Sequence, residues 1–147
     1  RIAGLIVSAR NAGEISTTGE LDKAIEPALP GFASHKVLAK IYQALRIEVN
    51  HEMRSLEKFL SGAAESLKKG GILSVITYHS LEDRMVKNFI KTGNVQGEVK
   101  KDFYGNILAP FKSLTRKPVL PQESEIASNT RARSAKLRVA ERVKEGQ

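Results

Sequence analysis

Lys68-Lys69-Gly70-Gly71-Ile72-Leu73-Ser74-Val75-Ile76-Thr77-Tyr78-His79-Ser80-Leu81-Glu82-Asp83 is the stretch whose reading decides the fold. Two lysines and two glycines end a helix, because cations complement its negative pole and glycine adopts the left-handed cap. Ile72 to Tyr78 follows at once. It is short, apolar and rich in β-branched residues, which predicts a buried parallel strand. Ser80 then opens a new helix as N-cap with Asp83 at N3, and its apolar positions are Leu81, Met85, Val86, Phe89 and Ile90. Helix, strand and helix in this order form part of an α/β sheet.

Upstream, the pattern is helical throughout. Ile2, Leu5, Ile6 and Ala9 predict a helix ending near Asn11-Ala12-Gly13. Thr17 and Glu20 have capping-box spacing ahead of a second helix that stops by Pro30-Gly31, with a turn over Gly31 to Ser34. From Val37 to Leu67 apolar residues recur at steps of three and four, read as two helices that break near Asn50-His51. Downstream, Val95 to Leu108 suggests a hairpin turning at Tyr104-Gly105-Asn106. Phe111 to Val119 reads as an extended strand interrupted by Pro118, and Pro121-Gln122-Glu123 opens a short helix ending by Asn129. Ala135, Leu137 and Val139 alternate with Lys136, Arg138 and Ala140, the pattern of a half-buried strand.

The composition is that of a folded domain: of 147 residues, 41% are hydrophobic and 27% charged. Cysteine is absent, which excludes a disulfide scaffold and a cysteine-ligated zinc site. His35 and His51 lack a third ligand at metal spacing, so no metal is expected. The apolar runs Gly4 to Val7 and Gly71 to Ile76 are far shorter than the ~18 residues that cross a bilayer. A soluble cytoplasmic protein with no membrane partner is the expectation. The chain opens mid-pattern at Arg1-Ile2-Ala3 without Met, and reads as a piece of something longer. The net charge of +8 points to an anionic partner, nucleic acid before membrane.

Three groups of residues carry possible chemistry. His79 and Ser80 stand where a strand meets a helix, the position at which open α/β sheets bind ligands; a purely capping role fits the same residues. Gln43, Arg46 and Asn50 share one helix face, which can read nucleobase edges or be a solvated surface. Arg131, Arg133, Lys136 and Arg138, with Lys112, Arg116 and Lys117, form a cationic set for phosphates, or a sheet edge protected by charge.

Four motifs then occur in one order: Tyr42-Gln43-Ala44-Leu45-Arg46-Ile47-Glu48-Val49-Asn50, Tyr78-His79-Ser80-Leu81-Glu82-Asp83-Arg84, Leu114-Thr115-Arg116-Lys117-Pro118, and Arg131-Ala132-Arg133-Ser134-Ala135-Lys136-Leu137-Arg138-Val139-Ala140-Glu141-Arg142. Together with Thr17-Thr18-Gly19-Glu20-Leu21 they resemble the family of ribosomal RNA small subunit methyltransferase H. The resemblance spans nearly the whole chain. It implies the C-terminal part of a class I, Rossmann-like methyltransferase sheet plus helices from an inserted helical domain. Residues 1–50 would close that insert, and residues 51–147 would supply the last helices and strands of the catalytic domain, with Ala135 to Arg142 as its reversed terminal strand. It further implies methyl transfer from S-adenosylmethionine to N4 of a cytidine in 16S ribosomal RNA, within the small ribosomal subunit.

On that mapping His79, Ser80, Asn50 and Arg46 are substrate-side candidates without assigned roles. Gln43, Lys112, Arg116, Lys117, Arg131, Arg133, Lys136 and Arg138 are the RNA-binding candidates. The family's Gly-rich donor loop has no counterpart in these residues, so S-adenosylmethionine would be held by an N-terminal half, and the isolated chain is expected to be inactive. A non-catalytic basic RNA-binding α/β module is the rival reading. A helical scaffold explains the apolar stripe but not the clustered polar motifs.

Overall fold

Alternate side chains of the strand β1 (Ile72–Thr77) are buried: Leu73, Val75 and Thr77 point into a core, while Ile72, Ser74 and Ile76 face outward. The computed structural model containing it describes residues 1–31 and 34–143, so part of the turn expected over Gly31 to Ser34 lies outside the described residues. The chain divides into two compact units, Arg1–Glu52 and Met53–Gln147.

The first unit is helical. α1 (Ile2–Ala12) is followed by α2 (Thr18–Ile25), whose Thr17 hydroxyl accepts from the Glu20 backbone N–H. The Glu20 carboxylate in turn accepts from Ser16 and Thr17 N–H at 2.8 and 2.9 Å, and these bonds hold its carboxyl below the usual range. The α-helix stops at Ile25 and tightens into a 3-10 turn, Glu26–Ala28, because Pro27 has no N–H to continue the ladder. α3 (Ser34–Val49) places the Tyr42 hydroxyl 2.7 Å from Asp22 on α2. Ile25 is fully buried.

The expected break between helices falls where the sequence puts it. His51 takes a left-handed φ of 51°, and α4 (Glu52–Ser66) begins beyond it. The apolar stripe is less uniform than its periodicity suggests: Leu60 on α4 is fully buried, whereas Leu45 and Val49 at the end of α3 are exposed.

In the second unit α5 (Ser80–Thr92) follows β1, then β2 (Phe111–Ser113), the short helix α6 (Glu123–Ser128), a 3-10 turn Thr130–Ser134, and β3 (Lys136–Arg142). The sheet order is β1-β3-β2 and every pairing is antiparallel. Ile72 pairs with Glu141 and Thr77 with Lys136, so β3 runs against both neighbours, and β1 and β2 share a direction.

This corrects the expectation for β1 twice. It pairs antiparallel here rather than parallel, and it is buried on one face rather than both, because α4 and α5 cover one face only. The core on that face joins Leu60, Leu73, Val75, Val86, Phe89, Ile90, Phe111 and Ala140. Phe89 meets Phe111 at 6.3 Å between ring centres, and the Arg142 guanidinium lies over the Phe111 ring at 5.7 Å. The opposite face leaves Ile72 and Ile76 half exposed.

The hairpin expected over Val95 to Leu108 is a loop with a single bridge, Lys101 to Ile107, in place of two strands. The extended segment from Phe111 to Val119 is split, earlier than Pro118 alone would put the break: β2 ends at Ser113, the chain bends over residues 114–117, and Val119 rejoins β3 opposite Leu137. Gly93 ends α5 at φ 80°, and a Cβ there would lie 2.9 Å from the Leu108 carbonyl oxygen, so both conformation and close approach require glycine. Among the described residues no helix is long and apolar enough to cross a membrane.

The packing predicts unequal costs along the stripe. Leu60→Ala should destabilise the protein by about 2–5 kcal/mol through the cavity it leaves. Val49→Ala, at a position 76% exposed, should stay within roughly 0.5 kcal/mol. Urea unfolding of the two variants measures the difference; equal losses would contradict the assignment of Leu60 to the core and Val49 to the surface.

Candidate functional site

The turn from β1 into α5 is built around His79. Its backbone is extended (φ −139°, ψ 165°), and its Nδ1 accepts from the Glu82 N–H at 3.4 Å, so His79 rather than Ser80 is the N-cap. The Glu82 carboxylate closes the box by accepting from Tyr78 and His79 N–H at 2.9 and 3.1 Å. The expected box is therefore displaced by one residue: Ser80 is the first helical residue and exposed, and Asp83 is released for another partner.

An Nδ1 that accepts places the ring proton of neutral His79 on Nε2. That nitrogen is buried and makes no aligned hydrogen bond, although Glu82 Oε1 lies 3.3 Å away. The imidazole thus stands against a carboxylate at the carboxyl end of a strand, the position at which open α/β sheets bind ligands.

Asp83 faces the middle of the sheet. Arg138 on β3 donates to it through Nε at 2.7 Å and Nη2 at 3.1 Å, and the Lys136 ammonium is 3.7 Å away. The Arg138 hydrogen bonds, reinforced by the nearby charges of Arg138, Lys136 and Lys87, hold the Asp83 carboxyl below its ordinary value against the effect of burial. Arg138 and Lys136, expected among the phosphate-binding cations, thus carry a structural ion pair.

Beside this pair a cavity of about 430 Å³ opens between α5 and the β2 region, lined by Lys87, Ile90, Lys91, Phe111, Ser113, Arg116 and Arg138. Ile90 and Phe111 form an apolar floor. Lys87 and Lys91 stand one turn apart on α5, and among the described residues no salt bridge engages them or Arg116. A cationic rim over an apolar floor suits an anion that carries a flat apolar group.

Of the sequence candidates, Arg116 lines this cleft, and Lys112 and Lys117 are exposed on β2 and just after it. Arg131 and Arg133 project from the 3-10 turn on either side of the buried Ala132. In the first unit Arg46 forms a bidentate pair with Glu52 at 2.8 and 3.1 Å, and Asn50 donates to the same carboxylate at 3.2 Å. Gln43 is half-buried on α3. Lys87 and Lys91 were not among the sequence candidates; their i,i+4 spacing on the helix that His79 caps was the available signal.

The family model described as the MraW methylase family matches residues 1–143. The chain belongs to this family. It is 54% identical over 142 residues to "Ribosomal RNA small subunit methyltransferase H" of Bacteroides thetaiotaomicron, which covers 97% of this chain and 47% of that protein. Proteins of the same name from Flavobacterium johnsoniae and Amoebophilus asiaticus are 52% and 50% identical, over 97% and 96% of this chain and 47% and 46% of theirs. The chain therefore spans about half the length of the curated relatives it matches.

The ion pair gives a pH signature. Asp83→Asn should cost about 2 kcal/mol at neutral pH, since it strands a largely buried guanidinium. A carboxyl whose folded pKa is depressed contributes stability that is complete above its unfolded pKa and is lost as pH falls through the folded value. The difference between wild type and Asp83→Asn in urea unfolding should accordingly shrink from about pH 4 downward. A gap that stays constant to low pH would rule out the ion pair as its source.

Proposed function

We propose that this chain is the target-side part of an enzyme that transfers a methyl group from S-adenosylmethionine to N4 of a cytidine in 16S ribosomal RNA. The observation that carries the reading is the likeness to ribosomal RNA methyltransferases along 97% of the chain, joined to a cation-rimmed cleft between α5 and the β2 region and to an imidazole at the end of β1. The antiparallel β3 between two co-directional strands supports a class I sheet with a reversed terminal strand. Residues 1–50 are read as the end of an inserted helical domain and residues 51–147 as the C-terminal part of the catalytic domain. The half-exposed Ile72 and Ile76 on β1 favour further protein packing on that face.

The described residues do not fit the methyl donor. The Gly70 N–H donates to the Arg142 carbonyl and the Gly71 N–H to the Lys68 carbonyl, both at 2.8 Å, so the one glycine pair beside a strand spends its donors inside the fold. The turn after β1 carries His79 where a phosphate or donor cradle would carry glycine. The donor belongs to residues beyond this chain, and the chain alone should neither bind it nor transfer methyl groups.

What these residues supply is the handling of the base and its strand. The exocyclic amine of cytosine is a weak nucleophile because its lone pair is delocalised into the ring. The site must orient that amine and receive a proton, and the base must be unpaired or turned out of its helix. His79 and Ser80 stand at the strand end for this work, with Arg46 and Asn50 as further substrate-side residues. Lys87, Lys91 and Arg116 at the cleft are assigned to phosphates, together with the exposed Arg131, Arg133, Lys112 and Lys117.

His79→Asn in the complete protein separates function from capping. Asparagine is itself a strong N-cap, so stability should stay within roughly 0.5 kcal/mol, while methylation of small-subunit RNA should fall by about 100-fold or more. Unchanged turnover at saturating RNA and donor would reduce His79 to a cap. RNA affinity should fall steeply with salt, and Arg131→Ala/Arg133→Ala should flatten the slope by about 0.7 to 1.4 log units per tenfold salt. A slope indifferent to salt would sink the phosphate assignment.

A further inference from the structure

The loop between α5 and β2 ends in two aromatic rings that touch almost nothing else. Phe103 is 97% and Tyr104 85% exposed, and their rings meet edge to face at 5.7 Å and 87°. The loop beneath them is tightly ordered. The Asp102 carboxylate accepts from the Tyr104 N–H at 2.9 Å, the Asn106 N–H at 2.8 Å and the Asn106 side-chain amide at 3.0 Å. Gly105 turns the chain at φ 86° and donates to the Asp102 carbonyl at 3.0 Å. Lower down, Asn94 Oδ1 accepts from Gly97 and Glu98 N–H at 2.8 and 2.9 Å, which fixes the base of the loop.

A loop that spends this many hydrogen bonds to hold two large rings in water is displaying them. Lys100 and Lys101, both exposed, stand immediately before the tip. Of the neighbouring acids, Asp102 is committed to the turn, and Glu98 lies on the other side of the lysine pair in sequence. Aromatic faces with adjacent ammonium groups are the equipment by which proteins grip single-stranded nucleic acid: the rings stack on bases and the cations meet the flanking phosphates.

We infer that the Phe103–Tyr104 tip is a stacking platform for an unpaired base of the RNA strand, with Lys100 and Lys101 on the adjoining phosphates. The inference rests on the RNA-methylation reading and adds to it a contact outside the cleft. Charge decides between occupants. The chain carries +8, and the lysine pair beside the rings complements a polyanion better than the apolar surface of a second protein.

The test uses the complete protein and a short single-stranded RNA that carries a fluorescent purine analogue. Wild type should quench the analogue on binding. Phe103→Ala/Tyr104→Ala should abolish the quenching and weaken binding by about ten-fold or more, within the range for loss of one stacked base. Because no charge is removed, its salt slope should match wild type. Phe103→Trp should retain affinity and quenching. Lys100→Ala/Lys101→Ala should keep the quenching and flatten the salt slope by about 0.7 to 1.4 log units per tenfold salt. Wild-type affinity and quenching in Phe103→Ala/Tyr104→Ala would overturn the platform while leaving the RNA reading intact. A change in self-association instead of RNA affinity would make the tip a protein contact and overturn it as well. Failure of wild type to bind RNA at all would remove the underlying reading, which the unsubstituted protein alone decides.

Discussion

The ion pair between Asp83 and Arg138 organises the second unit. It joins the first turn of α5 to the centre of β3, residues far apart in the chain, with two hydrogen bonds, one to each carboxylate oxygen. A bidentate carboxylate–guanidinium pair restrains orientation as well as distance, so α5 is set across the sheet at its N-terminal end while Val86, Phe89 and Ile90 fill the core farther along. Acidic residues also belong at that end of a helix, where the backbone N–H groups concentrate positive potential. One side of the pair is the His79 turn. The other is the cationic cleft.

That pair also explains where sequence reading succeeds and where it slips. Ile72 to Thr77 is legible as a strand because β-branched residues crowd between two strong stop signals, and β3 is legible from its alternation. The direction of their pairing is not, since it depends on a partner more than fifty residues away. The capping box is ambiguous in one dimension: His79 with Glu82 and Ser80 with Asp83 have identical spacing, and serine is the commoner cap. In the folded chain Asp83 is taken by Arg138, and the box closes on His79 and Glu82. The loop after α5 shows the opposite failure. Its turn at Tyr104-Gly105-Asn106 is visible, but Asn94 and Asp102 satisfy backbone N–H groups that a hairpin would have paired across strands.

The candidate site was legible in kind more than in membership. Arg116, Arg131 and Arg133 are displayed as their clustering suggested, because nothing acidic in the described residues claims them. Arg138 and Lys136 belong to the same motif but face Asp83, and Arg46 and Asn50 converge on Glu52. Periodicity identifies a face; it does not reveal which charge on that face is already answered by an opposite one. Lys87 and Lys91 lie on the polar side of an amphipathic helix, where lysine is ordinary, and become distinctive only when β2 and Arg116 close the cleft opposite them.

The distribution of acids then gives the basic surface its direction. Sixteen carboxylates accompany twenty-four lysines and arginines, and two acids in the first turn of α5 have internal partners: Glu82 the Tyr78 and His79 N–H groups, Asp83 the Arg138 guanidinium. Each removes a negative charge from solvent by giving it an internal partner that the fold also requires. Lys87 and Lys91 are exposed at the rim of the cleft, whose floor is apolar. Fields from like charges add at a concave surface bounded by low-dielectric walls, so Lys87, Lys91 and Arg116 act together there, while the Arg138 charge on the same cleft is answered by Asp83. Asp83 thus fixes α5 to the sheet and, by the same contact, leaves the anion attraction of the cleft to Lys87, Lys91 and Arg116.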